Sequence, residues 1–324
     1  MKLGKSLSIL GVATLALVAC QKADQPLGGG HFLMWYNPQH AVYKSTDGRN
    51  WVKLNDTKEW ASWLSAGADG MLYASKMGKS PIVASSKDGK DWVEVKGNSA
   101  NVQGDRRTFA ICTGSGKTIY ALSSHGDFQV SKDGGVTWEE KTRPVPVGAR
   151  GAGDGFRGFC SVSPTGDQIL IQGWYFSPAN PILAVTADEG KTWTPIKAPT
   201  DRNEANGVGY LSNGATLFFA NSEAVYTSAD KGATWKKSTP EKLLAKNSER
   251  NFYSYRRFAS NGGSVIVGVE AAGDGKDAKN KWPGATFFSK DGGLTFEVID
   301  LPWSTDPTPK VSDELLEITF VPGK

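Results

Sequence analysis

Residues 131–138, S-K-D-G-G-V-T-W, decide the fold, because nearly the same phrase occurs six times in the chain. The other copies are residues 45–51, 86–92, 186–193, 228–235 and 289–296. Their aspartates are Asp47, Asp88, Asp133, Asp188, Asp230 and Asp291, at intervals of 41, 45, 55, 42 and 61 residues. Self-similarity at periods in this range indicates an array of similar supersecondary units.

Each copy is predicted to form a hairpin turn between two short strands. Residues 41–44 and 51–54, on either side of the first copy, both have the composition of a strand. The aspartate is expected to accept hydrogen bonds from N–H groups of the turn, and glycine supplies the positive φ of a tight hairpin. The final Trp offers a large apolar face to a neighbouring sheet. We therefore interpret the six aspartates as structural turn residues, in preference to metal ligands or catalytic acids.

The repeated phrase resembles the Asp-box, also called the BNR repeat. Asp-boxes occur in β-propellers such as sialidases, the sortilin ectodomain, some plant-polysaccharide hydrolases and photosystem II assembly factors, where they join the third and fourth strands of a blade. The resemblance covers nearly all of the chain after about residue 30. It implies an all-β fold, a six-bladed β-propeller with four-stranded antiparallel blades. Such propellers include enzymes and binding proteins, so the resemblance alone does not select a function.

The two ends of the repeat region predict how the ring closes. Only two strand-like runs, residues 32–36 and 41–45, precede the first box, so the first blade lacks its inner strand. One further run, residues 315–321 (L-L-E-I-T-F-V), follows the sixth blade. Assigning this C-terminal strand to the first blade closes the ring and removes open sheet edges. The propeller is therefore predicted to span residues 31–324.

The N-terminal residues predict export and lipid attachment. Lys2 and Lys5 precede an apolar run over residues 7–18, which is too short to span a membrane and is typical of a signal peptide. Residues 17–20, L-V-A-C, look like a bacterial lipobox, which implies lipidation of Cys20. An ordinary secretory signal is the alternative. We predict a lipoprotein signal peptide over residues 1–19, and a lipidated cysteine with a short tether over residues 20–30.

The predicted location is the outer membrane, because Gln21 in place of Asp favours it under enterobacterial sorting rules. Membrane lipid is thus one expected partner, through Cys20, and the periplasmic side and the cell surface both remain open. The net charge is +4 and no basic block is present, so we predict no nucleic-acid binding. The three histidines show no metal-ligand spacing, and neither a metal nor a cofactor is predicted.

Two more cysteines, Cys112 and Cys160, lie on equivalent predicted strands of successive repeats. Export would place them in an oxidising compartment, where disulfides persist. The sequence does not define the geometry between their Cβ atoms, so a disulfide and two buried thiols both remain open.

A candidate ligand site is predicted on the face of the disc opposite the boxes, here called the top face. Arg107, Arg157 and Arg257 lie near the start of three predicted inner strands and would converge at the central channel. The aromatic residues predicted at the same face are Trp35, Tyr36, Trp174, Tyr175, Tyr253, Tyr255 and Trp282. Guanidinium groups bind carboxylates and phosphates, and aromatic rings stack on sugars or cations. The alternative is that the arginines pair with acids between blades and the rings are packing residues.

Two functions are compatible with these residues. The favoured one is a membrane-anchored, non-enzymatic binding or assembly module that contacts a protein or an anionic glycan through the top face. The alternative, implied by resemblance to sialidases, is an exo-glycoside hydrolase acting on anionic glycans, with the arginines holding a carboxylate and Tyr253 or Tyr255 as nucleophile. The Arg-Ile-Pro motif of sialidases is missing, since residues 32–38 read F-L-M-W-Y-N-P. No acid can be assigned to proton transfer, so no catalytic residue is predicted.

Overall fold

The structure is a computed structural model. It describes residues 29–36, 41–56, 63–67, 69–76, 82–95, 108–123, 125–144, 156–175, 181–200, 205–211, 216–221, 224–239, 253–261, 264–271, 285–299, 316–321 and 323. Within these residues, twenty-four strands form six separate four-stranded antiparallel sheets. These sheets are the blades of a β-propeller, which confirms the predicted fold class.

The strands follow one another through the blades in chain order, with the last strand returning to the first blade. Blade one contains β1 (His31–Tyr36), β2 (Ala41–Ser45), β3 (Val52–Asp56) and β24 (Leu316–Val321). Blade two contains β4 (Trp63–Ala66), β5 (Leu72–Lys76), β6 (Ile82–Ser86) and β7 (Val93–Glu94). Blade three contains β8 (Thr108–Thr113), β9 (Ile119–Ser123), β10 (Phe128–Ser131) and β11 (Glu139–Lys141).

The remaining three blades repeat this order from the inner to the outer strand. Blade four contains β12 (Phe156–Val162), β13 (Ile169–Tyr175), β14 (Pro181–Thr186) and β15 (Thr194–Pro195). Blade five contains β16 (Ala205–Tyr210), β17 (Leu217–Asn221), β18 (Val225–Ser228) and β19 (Lys236–Ser238). Blade six contains β20 (Tyr253–Asn261), β21 (Ser264–Ala271), β22 (Ala285–Ser289) and β23 (Glu297–Ile299).

The ring closes through β24, as predicted. This strand pairs antiparallel with β1 over six residue pairs, from His31↔Val321 to Tyr36↔Leu316. It is the inner strand of blade one, and it contacts the inner strands β20 and β4 on either side. The six inner strands therefore surround a central channel, and each sheet begins at that channel.

The hydrophobic core lies between the blades. In the described part of the chain, six clusters of buried apolar residues each join two neighbouring sheets. Between blades three and four, for example, Phe128 and Phe156 are almost fully buried. Between blades five and six, the rings of Phe218 and Phe258 stack with their centroids 4.1 Å apart. Burying a side chain of this size contributes about 1.5–3 kcal/mol, so the seams between blades dominate the stability of the ring.

Glycines let the box turns pack against the preceding blade. Gly190 of the fourth box has a φ of +84°, and a Cβ at this position would lie 2.6 Å from Cδ1 of Phe128 in blade three. The position before it, Glu189, also has a positive φ, of 58°. The predicted left-handed turn is therefore present, and the second of its two left-handed positions has no room for a side chain.

Candidate functional site

The six box aspartates are held within their own turns. In the fourth box, the Thr186 hydroxyl donates to Oδ1 of Asp188 at 2.7 Å, and the same oxygen accepts from the Thr192 amide at 2.9 Å. The Thr192 hydroxyl donates to the other carboxylate oxygen at 2.6 Å. Equivalent hydroxyl-to-carboxylate bonds occur at Asp47, Asp88, Asp133, Asp230 and Asp291. The geometry agrees with the interpretation of these residues as turn residues.

Hydrogen bonding also sets the acidity of these carboxyl groups. The pKa of Asp188 is lowered to about 2, first by the Thr192 hydroxyl and then by the Thr192 amide. The pKa of Asp230 is likewise lowered to about 2, first by the hydroxyl of Thr234. Groups held ionised in this way are poor proton donors near neutral pH, so they have no evident role as catalytic acids.

Two of the box tryptophans join successive blades by hydrogen bonds, whereas Trp51, Trp92 and Trp138 donate to glycine carbonyl oxygens of their own boxes. The indole Nε1 of Trp193 donates to the Thr142 carbonyl oxygen of blade three at 2.9 Å. Its ring meets the edge of the Phe128 ring, with centroids 5.0 Å apart. Trp235 makes the corresponding bond to the Lys197 carbonyl oxygen of blade four at 3.1 Å. The boxes on this side of the disc, here called the box face, thus form a structural layer.

Side chains of the inner strands cross the seams around the channel. Cys112 of β8 and Cys160 of β12 form a disulfide with their Cα atoms 5.7 Å apart, which answers the question that the sequence left open. Hydroxyl groups cross three other seams, from Ser65 to Thr113 at 2.9 Å, from the Tyr210 amide to Ser161 at 3.3 Å, and from Ser260 to the Tyr210 carbonyl at 3.1 Å. The inner strands are therefore linked by covalent and polar contacts as well as by apolar packing.

The channel contains a cavity of about 420 Å³ that is lined by the inner strands of all six blades. Its lining includes the ends of these strands and the turns that follow two of them, at Ser115 and Thr165. In blade three, the Gly134 amide of the box donates to the Lys117 carbonyl oxygen of the same turn at 3.0 Å. The cavity therefore lies at the box face, at the opposite end of the channel from the predicted ligand site.

The strand register gives the position of several predicted top-face residues, whose side chains are not described. Arg157 lies on β12 with its Cα opposite that of Trp174, and Tyr175 lies opposite Phe156. Arg257 lies on β20 opposite Gly268. Tyr253 and Tyr255 precede it on the same strand, at the end nearer the top face. Only β16 separates β12 from β20 in the ring of inner strands.

Other predicted residues lie outside the described part of the chain. They are Cys20, Arg107 and Trp282. The predicted convergence of three arginines therefore stays a prediction.

Trp35 and Tyr36 lie at the top-face end of β1, but their rings are not available as an open surface. Trp35 is 2% exposed, and its ring packs against that of Trp92 with centroids 5.0 Å apart. Tyr36 is 6% exposed and belongs to the core between blades six and one. The alternate positions of β1 face opposite sides of its sheet, and both sides are covered by neighbouring blades. These two residues act as packing residues, as the alternative interpretation held.

Two buried acids lie at the top face, and the sequence analysis included neither among the candidate ligand residues. Glu317 of the inner strand β24 is 3% exposed, and it is the one charged residue in a strand that is apolar apart from Thr319, which was the available signal. Asp127 is 1% exposed, forms an ion pair with Arg143, and accepts from the Ser123 hydroxyl at 2.8 Å. Both carboxylates have partners within the protein.

Within the described ranges, no group of three or more His, Cys, Asp or Glu side chains could hold a metal ion. No helix in the same part of the chain is long and apolar enough to cross a membrane.

Comparison with known folds places this ring among several propellers. The GH74 enzyme of Niastella koreensis is 18% identical over 85% of this chain and 46% of its own, with a TM-score of 0.52. TolB of Acinetobacter baumannii is 11% identical over 91% of this chain and 67% of its own, with a TM-score of 0.54. The chain thus spans less than half of the GH74 enzyme. At these levels of sequence identity, the structural similarity shows only that the fold is shared.

A structure of YCF48 bound to D1 peptide is also similar, at 16% identity over 87% of this chain and 85% of its own, with a TM-score of 0.47. A search of curated proteins found no match. The model of the family described as photosynthesis system II assembly factor YCF48 matches residues 89–275, which is more than half of the chain. These residues contain three complete boxes, those of Asp133, Asp188 and Asp230, and the last four residues of the box that begins at Ser86, so the match rests on the repeat itself. The chain belongs to the YCF48 family of BNR-repeat propellers.

Proposed function

We propose that the protein is a membrane-anchored, non-enzymatic binding and assembly module that presents its top face to a partner. The family to which it belongs is described as an assembly factor, which supports a role in holding another protein. The proposed partner surface is the top-face end of the inner strands, where Arg157 is the second residue of β12, whereas Arg257 is the fifth of the nine residues of β20 and lies further along its strand than the sequence predicted. An acidic protein segment or an anionic glycan would suit guanidinium groups, which bind carboxylates through paired hydrogen bonds.

The position of the N-terminal strand is the observation that carries this proposal. His31 begins β1 at the box face, opposite Val321 at the end of the inner strand β24. A Cβ at Gly30 would lie 2.4 Å from the Val321 carbonyl oxygen, so the chain enters the ring in close contact with this end of the channel. The ten residues between Cys20 and Gly30 reach at most about 36 Å. A lipid on Cys20 would therefore keep the box face nearest the membrane and leave the top face pointing away from it.

Site-specific photo-crosslinking in intact cells tests the proposed face. A photoreactive amino acid replaces His125, which lies in the turn between β9 and β10 at the top face, or Ala187, which is exposed in the fourth box. We expect a discrete crosslinked species from position 125 that is absent at position 187. Crosslinks from position 187 alone would contradict the proposed orientation.

Arginine variants test the chemistry of the same surface. We expect the combined substitutions Arg157→Ala and Arg257→Ala to reduce the yield of the crosslink from position 125 by about tenfold or more, the effect of losing about 1.4 kcal/mol of binding. Arg49→Ala is the matched control, because Arg49 lies in the first box and forms an ion pair with Glu297 on the box face. An unchanged crosslink in the double variant would show that these arginines do not bind the partner.

A further inference from the structure

The cavity at the box face has the size and enclosure of a small-molecule site. Its volume of about 420 Å³ falls within the range of about 300–1,000 Å³ found for ligand pockets. Each inner strand contributes at least one polar or aromatic residue near the mouth, namely Ser65, Thr113, Ser161, Tyr210, Ser260 and Thr319. Ser115 and Thr165, on exposed turns, form part of the rim. The cavity is therefore enclosed at its sides and accessible from the box face.

The lining is rich in hydrogen-bonding groups but carries no charge. Five of the six inner strands supply a hydroxyl group from Ser or Thr, and none of the described lining residues is Asp, Glu, Lys, Arg or His. Each inner strand also has a paired neighbour on one side only, so its other backbone edge faces the channel. Neutral donors and acceptors therefore surround the cavity, as a neutral polar ligand requires.

Several of these hydroxyl groups are held in place before any ligand arrives. The Thr113 hydroxyl donates to the Ala66 carbonyl oxygen at 2.7 Å, which fixes its rotamer. Ser161 Oγ accepts from the Tyr210 amide at 3.3 Å, and this bond leaves the hydroxyl hydrogen of Ser161 available as a donor. Positioning by the protein lowers the entropy lost when a ligand binds, so a weak set of hydroxyl contacts can suffice.

Aromatic rings complete the lining. Phe258 and Phe320 line the cavity and are half-buried. Hydroxyl groups beside aromatic rings match a sugar ring, which has polar hydroxyls at its edge and C–H groups on its faces. A charged ligand would lose its hydration without gaining a counter-charge from the described lining residues, which carries a large cost in free energy.

We propose that this cavity binds one neutral saccharide unit, a hexose or an N-acetylhexosamine, at the box face. The inference goes beyond the proposed function, because the cavity and the top face lie at opposite ends of the channel. The two are tested separately, and failure of either leaves the other standing.

Ligand-observed saturation-transfer NMR tests the proposal on the full-length protein. The detergent must lack a sugar headgroup, since such a headgroup would compete for the site. The neutral probes are glucose and N-acetylglucosamine, and the anionic probe is N-acetylneuraminic acid. We expect saturation transfer to at least one neutral sugar, with affinity for the anionic sugar lower by about tenfold or more. Binding of neither neutral sugar would overturn the proposal, as would equal binding of the anionic sugar that is lost in the blocked variant described next, since only that variant distinguishes the cavity from the top face.

A blocked variant tests whether the bound sugar occupies the cavity. Ser115→Trp adds a large ring at the rim on an exposed turn, where it is expected to be tolerated in folding. The matched control is Ala187→Trp, which adds the same ring to an exposed box residue that does not line the cavity. We expect the first variant to lose binding of the neutral sugar by about tenfold and the control to keep it. Undiminished binding by Ser115→Trp would place the sugar elsewhere and refute the proposal.

A hydroxyl deletion gives an independent measurement should the blocked variant not fold. Thr319→Val removes one lining hydroxyl and keeps the shape of the side chain, and Thr194→Val makes the same change on the exposed strand β15. Loss of one hydrogen bond worth about 1 kcal/mol would weaken sugar binding by about fivefold in the first variant only. Equal affinity in both variants would argue against direct contact with the cavity wall.

Discussion

Single residues of the box show how hydrogen bonds alone can fix an acid in one charge state. Asp188 and Asp230 each accept a bond from a threonine hydroxyl, at 2.6 Å and 2.5 Å respectively. The same threonines also donate their backbone amides to the other carboxylate oxygen. Because these bonds favour the ionised form, the carboxyl pKa falls even though both side chains lie at the surface.

Removing one threonine hydroxyl should raise the pKa of its aspartate. In Thr192→Val, Asp188 loses the contact that contributes most to its lowered pKa, so we expect the value to move from about 2 towards 3.8. Carboxyl-carbon NMR titration measures this shift, and Asp230 in the same spectrum serves as an internal control. An unmoved Asp188 would mean that the backbone amide alone sets the pKa.

The lowered pKa values predict how stability depends on acid. Since the folded pKa of Asp188 and Asp230 lies below the ordinary aspartate pKa of 3.8, their contribution to stability is complete above pH 3.8. It is lost as the pH falls from 3.8 towards 2, where the folded groups become protonated. Urea unfolding at a series of pH values should show this decrease in the free energy of unfolding. The double variant Thr192→Val and Thr234→Val should show a shallower decrease over the same interval.

Alanine substitutions at two glycines distinguish the cost of backbone strain from the cost of a steric clash. Gly190→Ala imposes a Cβ on a left-handed residue and places it against Phe128, so we expect a loss of at least about 2 kcal/mol in the free energy of unfolding. Gly116→Ala is the control, because its φ is +61° but no atom lies within 4 Å of the added Cβ. It should cost about 1 kcal/mol. Equal losses in urea unfolding would show that the contact with Phe128 is absorbed by small movements.

At the scale of the strands, the seams around the channel differ in how they are joined. Three seams have side-chain hydroxyl bonds, while the seam between β8 and β12 has the Cys112–Cys160 disulfide. A disulfide restricts the unfolded chain, and this one closes a loop with a sequence separation of 48 residues. Its contribution is therefore expected to exceed that of any one hydroxyl bond, which is about 1 kcal/mol.

Replacing both cysteines tests this comparison. We expect Cys112→Ala with Cys160→Ala to lower the free energy of unfolding by about 2–4 kcal/mol, chiefly because the unfolded chain regains freedom. Thermal unfolding of the unaltered protein in a strong reductant should give the same loss, and the reductant should not affect the double variant. A double variant as stable as the parent would show that packing alone holds this seam.

For the whole molecule, stability depends on closure by β24. Its deletion would remove a strand that pairs with β1 and contacts β4 and β20, so two seams would be exposed together. We expect a chain ending before residue 316 to lose cooperative thermal unfolding, as measured by near-ultraviolet circular dichroism. A synthetic peptide containing residues 316–321, added in trans, should restore it in part. Cooperative unfolding of the truncated chain without the peptide would contradict the importance of closure.

The six-bladed ring could be predicted because the residues that form each box turn lie close together in the sequence. Each box contains, within eight residues or fewer, the hydroxyl, carboxylate and glycine that make its turn, so the number of boxes predicts the number of blades. The burial of Trp35 was not predictable, because it depends on contact with Trp92 from another blade. The Cys112–Cys160 pairing and the hydroxyl-lined cavity also depend on distances between strands of different repeats. The spacing of the repeats assigns such residues to a strand, but it does not show which residues of other strands they contact.

The place of β24 beside β1 also has a consequence for biosynthesis. The ribosome makes β1 first and β24 last, and at about 5–20 residues per second the interval between them is roughly 15 to 60 seconds. Throughout that interval the earliest sheet is one strand short, and an open strand edge readily recruits strands from other nascent chains. Successful production of this protein therefore depends on shielding the first-made segment, for example by a chaperone, until the final strand has emerged.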